Sequence, residues 1–486
     1  MNNGILFQGF EWYLPSEGNY YKDMLLKLEE LSRMGITAIW LPPVCKATGS
    51  SDTGYGVYDL YDLGEFDQKG EVRTKYGTKE ELKELIEAIH GRGMQVYADV
   101  VLNHKAGADG VEKFMAVEVD TNDRTKDIGE SHEIEAWTNF QFPGRQGKYS
   151  DFKWNFHHFT GVDFDNRTGD KGIFRILGEN KGWNWNVSNE YGNFDYLMFA
   201  DIDHAHPEVR EELKTWADWF IGELQLDGFR LDAVKHIDGA FMHEFTSHLK
   251  QKHGDKFYIL GEYWDNSVKA NKEFLEETQY GIDLFDVGLH FNFFEASNRG
   301  GDYDLRKIFD NSVVTGNPPM SVTFVDNHDS QHGQSLNSFI APWFKEIAYG
   351  LILLRKDGYP CIFYGDYYGI GGEHQIPGMK DKLDVLSLVR KSHAYGNQDD
   401  YFNEPDLIGW VRHGDEEHFG KCAVVISIRE KKTIRMFLGD EEKGKVYTDL
   451  TGNCQDKVTI DEENYGNFAA EPGSISVWME EGLPLE

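Results

Sequence analysis

Basic residues are scarce in this chain. Its 486 residues include 49 lysines and arginines against 83 aspartates and glutamates, which gives a formal net charge of −34. Nucleic acids and anionic membrane surfaces attract clustered positive charge, so neither is expected as a partner. A neutral ligand such as a sugar is compatible with this balance, and the carboxylates can bind hard cations.

Cysteines and long apolar runs are also scarce. The four cysteines lie too far apart for a disulfide framework or a zinc site. No apolar run approaches the roughly 20 residues of a membrane-spanning helix. The start, GILFQGFEWY (4–13), shows none of the basic, apolar and cleavage regions of a signal peptide. We therefore expect a cytoplasmic protein, although a secreted protein without its leader would read the same way.

Apolar runs alternate with amphipathic helical patterns along most of the chain. The runs lie at 5–10, 38–44, 96–102, 227–234, 257–263, 287–292, 320–327 and 359–365, and helical patterns lie at 20–35, 78–91, 207–224, 241–253, 304–311, 344–356 and 382–394. This alternation predicts parallel strands joined by right-handed crossovers. Eight strands fit a (β/α)8 TIM barrel. A doubly wound open sheet is the alternative, and it fits less well because acidic residues follow several different strands.

Two regions depart from this alternation. About a hundred residues rich in Gly, Asn, Asp and aromatics follow the third run, which is too long for a connecting loop. After residue 397, short alternating strands separated by turn residues predict an antiparallel β domain. We therefore expect a barrel formed by 1–104 and 207–397, an inserted irregular or β domain at 105–206, and a C-terminal β-sandwich at 398–486.

Three apolar runs end in a carboxylate. These are GFRLDAVKH with Asp232, YILGEYW with Glu262, and VTFVDNHD with Asp329. Parallel strands in a barrel end at the same face, so the three acids should converge there. Arg230 precedes Asp232 by two positions and shares its face of the strand, and its positive charge favours the ionised form that a nucleophile needs. Glu262 lies beside two aromatic residues, which favours the protonated form that a general acid needs. Converging carboxyl groups of this kind suit glycoside hydrolysis.

Four segments resemble, in amino-acid sequence, order and spacing, the signature segments of the α-amylase family of glycoside hydrolases. They are DVVLNH (99–104), GFRLDAVKH (228–236), GEYW (261–264) and FVDNHD (324–329). LMFADID (197–203) resembles a further family segment in the inserted domain. The resemblance extends to QGFEWY near the start and to TGYGVYDLYDLGEF (53–66). It covers nearly the whole chain and is nearest to the bacterial liquefying type.

This resemblance implies an endo-acting enzyme that hydrolyses internal α-1,4-glucosidic bonds of starch, glycogen or maltodextrins. We expect a monomer whose partner is this α-glucan substrate. Asp232 would be the nucleophile, Glu262 the general acid and base, and Asp329 the carboxylate that stabilises the distorted sugar. Retention follows, with the first two carboxyl groups roughly 5 Å apart. A maltogenic or transglycosylating relative with the same acids is one alternative. A non-catalytic carbohydrate-binding protein on this fold is the other.

The resemblance also implies the residues that line the sugar site. They are Tyr55, His104, Arg230, Lys235, His236, Trp264 and His328. Lys235 and His236 match positions on the leaving-group side, as in endo-acting amylases. Asp99 matches a position that supports the site without taking part in its chemistry.

Calcium is the cofactor that the resemblance implies. Its ligands would be Asn103, Asp195, Asp201 and the backbone oxygen of His236. In the liquefying relatives a second calcium and a sodium lie beside this ion and are held by further aspartates. Here three of those positions are uncharged and one aspartate remains: Thr160, Asn184, Ala205 and Asp203. We therefore expect a single calcium at this junction and a lower resistance to chelators and heat.

Overall fold

Eight parallel strands close into a barrel in the computed structural model, which describes residues 3–485. The strands are β1 (Leu6–Gln8), β2 (Ala38–Leu41), β3 (Gln95–Val100), β4 (Gly228–Leu231), β5 (Tyr258–Gly261), β6 (Asp283–Phe285), β7 (Ser321–Phe324) and β8 (Tyr359–Phe363). Each strand pairs with its neighbours in chain order, and β8 pairs with β1 to close the ring. The predicted barrel is confirmed, and the open sheet is excluded because such a sheet has two free edges.

Helices follow the barrel strands and cover the wall from outside. They are α1 (Tyr20–Leu25), α2 (Leu28–Arg33), α3 (Lys79–His90), α4 (Pro207–Leu224), α5 (Gly239–His253), α6 (Val268–Glu277), α7 (Val287–Arg299), α8 (Val313–Gly316), α9 (Pro342–Leu354), α10 (Tyr364–Tyr368) and α11 (Lys380–Ser392). Local sequence fixes several starts: Thr78 and Glu81 form a capping box on α3, and α4 begins with Pro207. Within residues 3–485, no helix has the length and apolarity to cross a bilayer.

The sixth strand was predicted at the wrong place. Residues 287–292 form the start of α7, and the strand is the shorter segment Asp283–Phe285 just before it. The Asp286 side chain accepts a hydrogen bond from the Leu289 backbone N–H at 3.0 Å and so caps the helix. In a short run that is apolar throughout, the spacing of apolar residues cannot distinguish a strand from a helix. The pattern at 304–311 also gives only one 3-10 turn, Leu305–Lys307.

The insertion after β3 is built around one antiparallel sheet. In spatial order its strands are His104–Lys105, Ala200–Ile202, Phe159–Asp165, Asp170–Ile176, Gly110–Val119 and Asp127–Asn139. The first of them begins four residues after β3 ends, so the sheet is joined directly to the carboxyl end of the barrel. The stretch between Ile176 and Ala200 is mostly irregular and returns toward the barrel.

The C-terminal region contains two antiparallel sheets. The larger one has the order Gln398–Glu404, Leu407–Arg412, Cys422–Ser427, Ser474–Glu480, Val446–Asp449 and Lys457–Thr459, and the smaller one pairs Lys432–Phe437 with Tyr465–Ala470. Buried Trp478 and Phe468 pack between them. This confirms the predicted β architecture. The apolar alternation predicts six of the eight strands, at 407–413, 422–428, 433–439, 445–451, 457–463 and 474–479. It misses Tyr465–Ala470 and Gln398–Glu404, and the sequence of the latter, QDDYFNE, is too polar to indicate a strand.

Candidate active site

Three predicted acids meet at the carboxyl end of the barrel. Asp232 and Glu262 directly follow β4 and β5, and Asp329 lies in the loop after β7. All three line one cleft of about 1080 Å³, whose other walls come from the insertion and from the loops after β5 and β7. The parallel barrel explains this convergence, because every strand delivers its following residue to the same face.

Arg230 holds the acids in place from beneath. Its side chain is fully buried, and Nη1 lies 2.6 Å from Oδ1 of Asp232 and 2.9 Å from Oδ1 of Asp99. Nη2 lies 2.9 Å from Oε2 of Glu262. Asp99 in turn accepts hydrogen bonds from the Tyr55 hydroxyl at 2.9 Å and from the Trp40 indole at 3.0 Å. One guanidinium therefore fixes carboxylates from β3, β4 and β5 relative to one another.

Glu262 is buried, and its surroundings favour the protonated form of its carboxyl group. Desolvation raises its pKa well above the ordinary value, Arg230 opposes this, and the charges of Asp232 and Asp329 raise the pKa further. Desolvation likewise raises the pKa of Asp329 to about 7, and Arg230 again opposes it. A carboxyl group that keeps its proton near neutral pH can act as a general acid.

A stack of flat side chains forms one wall beside the acids. The rings of Tyr55 and His328 lie 5.1 Å apart and those of Trp12 and Tyr55 5.9 Å apart, each pair nearly parallel. Burial lowers the pKa of His328 well below its ordinary value, so the ring is neutral. His104 is also buried and places Nε2 2.9 Å from the Tyr55 carbonyl oxygen. Flat rings of this kind suit stacking against a sugar face.

Lys235, His236 and Trp264 also line the cleft. Lys235 Nζ lies 2.6 Å from Oε2 of Glu190 and 3.2 Å from Oδ2 of Asp265, which connects the insertion to the barrel. His236 Nδ1 contacts the Phe194 carbonyl oxygen at 2.8 Å. Trp264 lines the cleft, and its ring also packs toward Phe324 and its neighbours in the barrel.

The structure adds residues that the sequence did not identify as part of the site. Trp12 and Glu190 line the cleft, and Gln8 contacts His328 from β1. Gln8 and Trp12 lie in QGFEWY, so that segment was a usable signal. Glu190 follows an irregular stretch of the insertion, and nothing in its local sequence indicates that it meets Lys235.

The predicted calcium ligands lie together between the insertion and the barrel. Asn103, Asp195 and Asp201 are each about 1% exposed. Burial raises the pKa of Asp195 to about 8, and burial together with Asp195 raises that of Asp201. Oδ1 of Asn103 is buried without a hydrogen-bond partner. Two crowded carboxylates beside an unpaired amide oxygen form a set of oxygen donors that fits a hard divalent cation. The fourth predicted ligand is the backbone oxygen of His236, and the ring of this residue contacts the carbonyl oxygen of Phe194, next to Asp195.

A second group of possible ligands contains His158, His206 and Glu208. Nδ1 of His158 accepts a hydrogen bond from the Asn155 backbone N–H at 3.1 Å, and Nδ1 of His206 accepts one from the Glu208 backbone N–H at 3.3 Å. A neutral imidazole that accepts at Nδ1 carries its proton on Nε2. Burial and the nearby His206 lower the pKa of His158 to about 4, so this ring is neutral and carries its proton on the Nε2 that lies 3.5 Å from Oε2 of Glu208. A protonated Nε2 disfavours a metal at that position.

Comparisons with known proteins agree with the geometry. Residues 21–406 match the family described as "Alpha amylase, catalytic domain", and residues 436–479 match "Alpha-amylase C-terminal". The chain is 48% identical to an α-amylase of Bacillus licheniformis, over 98% of this chain and 94% of that one. It is 40% identical to the cytoplasmic α-amylase of Escherichia coli, over 99% of both chains. The crystal structure of an acarbose-complexed α-amylase of Geobacillus thermoleovorans shares the fold, with a TM-score of 0.64 at 20% identity over 99% of both chains.

Proposed function

The chain belongs to the α-amylase family and is an enzyme of the α-amylase type, and we propose that it cleaves internal α-1,4-glucosidic bonds of starch, glycogen or maltodextrins with retention of configuration. The endo mode and the α-glucan substrate are supported by the relatives named α-amylase, and the observation that supports retention is the shared contact of Arg230 with Asp232 and Glu262. A single guanidinium that touches both carboxylates keeps them close, as the roughly 5 Å separation of a retaining pair requires.

The proposed reaction has two displacements. Asp232 attacks the anomeric carbon and forms a β-glycosyl ester, while Glu262 gives its proton to the departing glycosidic oxygen. Glu262, now ionised, takes a proton from water, and the resulting hydroxide displaces Asp232 to restore the α configuration. Asp329, which lines the same cleft, stabilises the positive charge that develops on the sugar ring. The raised pKa of Glu262 supports its role as the initial proton donor.

We assign subsite roles to residues in and behind the cleft. Tyr55 provides a flat surface for the sugar that Asp232 attacks, and His104 also lines the cleft. Arg230 and His328 are buried beside Asp232 and Tyr55 respectively. Lys235 and His236 lie on the leaving-group side, with Trp264 close by. Because Glu190 and Asp265 both contact Lys235, its ammonium is held at a fixed position where it can donate to sugar hydroxyls.

A calcium ion is part of this proposal. Asn103, Asp195, Asp201 and the backbone oxygen of His236 would hold it, and Asn103 Oδ1 supports the assignment because it is buried without a partner. The ion would neutralise the aspartates and fasten the inserted domain, which we place at 105–206, onto the barrel. It would thereby hold Lys235 and His236 against the insertion and shape the cleft without taking part in bond breaking.

The main alternative is an enzyme that releases products of fixed length or transfers glycosyl groups. It is favoured by a relative named glucan 1,4-alpha-maltohexaosidase, from Bacillus sp. (strain 707), which is 46% identical over 98% of this chain and 92% of that one. The test is a time course on amylose. Internal cleavage removes iodine staining early, while few reducing ends have formed. A single dominant product from the first minutes would support the alternative, and products longer than the substrate would indicate transfer.

We also propose that the protein acts in the cytoplasm. This is supported by the E. coli relative, whose name describes it as cytoplasmic. Cell fractionation of the native host tests the proposal, and activity recovered mainly from the culture medium would contradict it.

A further inference from the structure

Lys345 is a buried lysine behind the loop that carries Asp329. It lies in α9, and its Nζ is 2.9 Å from Oδ2 of Asp326, two residues after β7. Nζ also pairs with Oδ1 of Asp366 in α10 and lies 3.4 Å from the centre of the Phe339 ring. One ammonium group therefore joins α9 and α10 to the end of β7.

A chain of hydrogen bonds connects Asp326 to the turn that contains Asp329. Oδ1 of Asp326 accepts a hydrogen bond from the Ser330 hydroxyl at 2.7 Å, and that hydroxyl accepts one from the Asn327 backbone N–H at 3.0 Å. Oδ1 of Asn327 accepts from the backbone N–H groups of Asp329 and Ser330, at 2.9 and 2.8 Å. Side chains that accept from nearby backbone N–H groups fix the conformation of a turn. The placement of Asp329 is therefore tied to that of Asp326.

Asp326 also holds the far end of the loop that begins at this turn. Its Oδ2 accepts a hydrogen bond from the Ile340 backbone N–H at 3.2 Å. Nearby, the Ser338 backbone N–H donates to the Ser330 carbonyl at 3.1 Å. The residues between these two contacts include three that line the cleft: Gln334, Ser335 and Leu336. A single carboxylate thus fastens both ends of a loop that forms part of the cleft wall.

The position of Asp326 depends on the charge of Lys345. Among the described residues, no other lysine, arginine or histidine forms an ion pair with Asp326 or Asp366. Burial raises the pKa of Asp366, Lys345 opposes this, and the charge of Asp326 raises it further, so the two carboxylates repel each other. Removal of one partner from a buried ion pair leaves an uncompensated charge. Without the lysine, Asp326 would be pushed from Asp366 and its contacts with the turn would loosen.

We propose that Lys345 is a positioning residue for Asp329 and for the cleft loop that follows it. Its ammonium acts through Asp326 and Ser330 and fixes the turn from which Asp329 faces the cleft. Stabilisation of a developing charge depends on prearranged groups, so a small displacement of Asp329 lowers the rate. This inference rests on the role of Asp329 in the proposed function, and it adds a residue of α9 that does not line the cleft.

The test measures hydrolysis of maltoheptaose by wild type, Lys345→Met, Ser330→Ala and the double variant. Methionine removes the charge of the lysine, and alanine removes the hydroxyl that links Asp326 to the turn. Each single variant should lower kcat by about tenfold or more, because misplaced catalytic groups cost rates of this order. KM should stay within about twofold, since Asp329 acts on the transition state. The double variant should be no slower than the slower single variant, because both changes act on one turn.

Arg412→Met is the matched control. Arg412 is also buried, and its Nη1 donates to the carbonyl oxygen of Leu354 at 3.3 Å, at the opposite end of α9. Loss of this cation should lower the thermal midpoint and leave kcat unchanged. Wild-type kcat in a destabilised Lys345→Met would overturn the proposal, because the lysine would then only stabilise the fold. Effects of the two single changes that multiply in the double variant would overturn it as well.

Two further outcomes are also decisive. If Lys345→Met does not fold, Ser330→Ala decides: a lower kcat at unchanged KM supports the chain of hydrogen bonds, and wild-type kinetics contradict it. A wild type that does not cleave maltoheptaose would reject the proposed function, and amide hydrogen exchange then tests the positioning. Faster exchange at Asp329 and Ser330 in Lys345→Met, but not in Arg412→Met, supports the role of Lys345. Equal exchange in both variants contradicts it.

Discussion

The side-chain amide of Gln8 lies 2.9 Å from Nδ1 of His328 and joins β1 to the loop after β7. The amide N–H donates, so Nδ1 accepts and the neutral ring carries its hydrogen on Nε2. That nitrogen lies 3.1 Å from Oδ2 of Asp329, at the edge of the cleft. Gln8 therefore sets the tautomer with which His328 faces Asp329.

Replacement of Gln8 by glutamate tests this relationship. Gln8→Glu keeps the shape of the side chain, but a carboxylate can only accept a hydrogen bond. The neutral His328 ring must then carry its hydrogen on Nδ1, and Nε2 has none. We expect kcat/KM to fall about tenfold, in line with the loss of one hydrogen bond at a buried site, and the pH profile to change as His328 becomes easier to protonate. The comparison variant is Gln8→Leu, whose side chain neither donates a hydrogen bond to Nδ1 nor accepts one from it. Wild-type kinetics and an unchanged pH profile in Gln8→Glu would show that the tautomer does not matter.

The roles of the two principal acids predict a severe loss of activity. Asp232→Asn removes the nucleophile and Glu262→Gln removes the proton donor, so each should lower kcat on starch by about a thousandfold or more. Both substitutions preserve side-chain size, and far-ultraviolet circular dichroism should match the wild type. Azide should rescue Glu262→Gln with an activated substrate, because that variant retains the nucleophile. If either variant retained more than a few per cent of wild-type activity, the assigned roles would be wrong.

The raised pKa of Glu262 predicts how kcat/KM declines at alkaline pH. The proposed reaction needs this group protonated, so kcat/KM falls as pH rises through its pKa, about tenfold for each unit beyond it. An α-maltooligosyl fluoride has a leaving group that departs without a proton. With that substrate the alkaline decline of the glycosylation step should disappear. The same alkaline decline with both substrates would place the titration on another group.

Removal of calcium should destabilise the protein. A ligand that binds only the folded state stabilises it by about 2.7 kcal/mol at a hundredfold excess over its Kd. We expect a chelator to lower the thermal midpoint and added calcium to restore it, while Asp195→Asn should have a low midpoint that responds to neither. The measurement is differential scanning fluorimetry at constant ionic strength. A wild-type midpoint that is unchanged under strong chelation would count against the site.

Local sequence was enough for the parts of this protein that depend on neighbouring residues. The eight-strand alternation predicted the barrel, and the acids at the ends of β4 and β5 were correctly placed at its carboxyl face. The signature segments identified the family. The strand β6 was missed because three residues are too few to show an alternation of apolar and polar side chains. The polar strand Gln398–Glu404 was missed because its composition resembles that of a loop.

Contacts between residues far apart in the chain were decided only by the tertiary structure. Gln8 meets His328 because the barrel closes β1 against β8, next to β7. Glu190 meets Lys235 because the insertion folds back onto the barrel. Lys345 meets Asp326 for a similar reason, since α9 packs against β7 and brings its ammonium to a buried carboxylate. The sequence alone determined which chemical groups are present and on which strands, because periodicity and local motifs act over a few residues. The hydrogen-bond partner and the net charge around each group follow from barrel closure and docking, which no local pattern encodes.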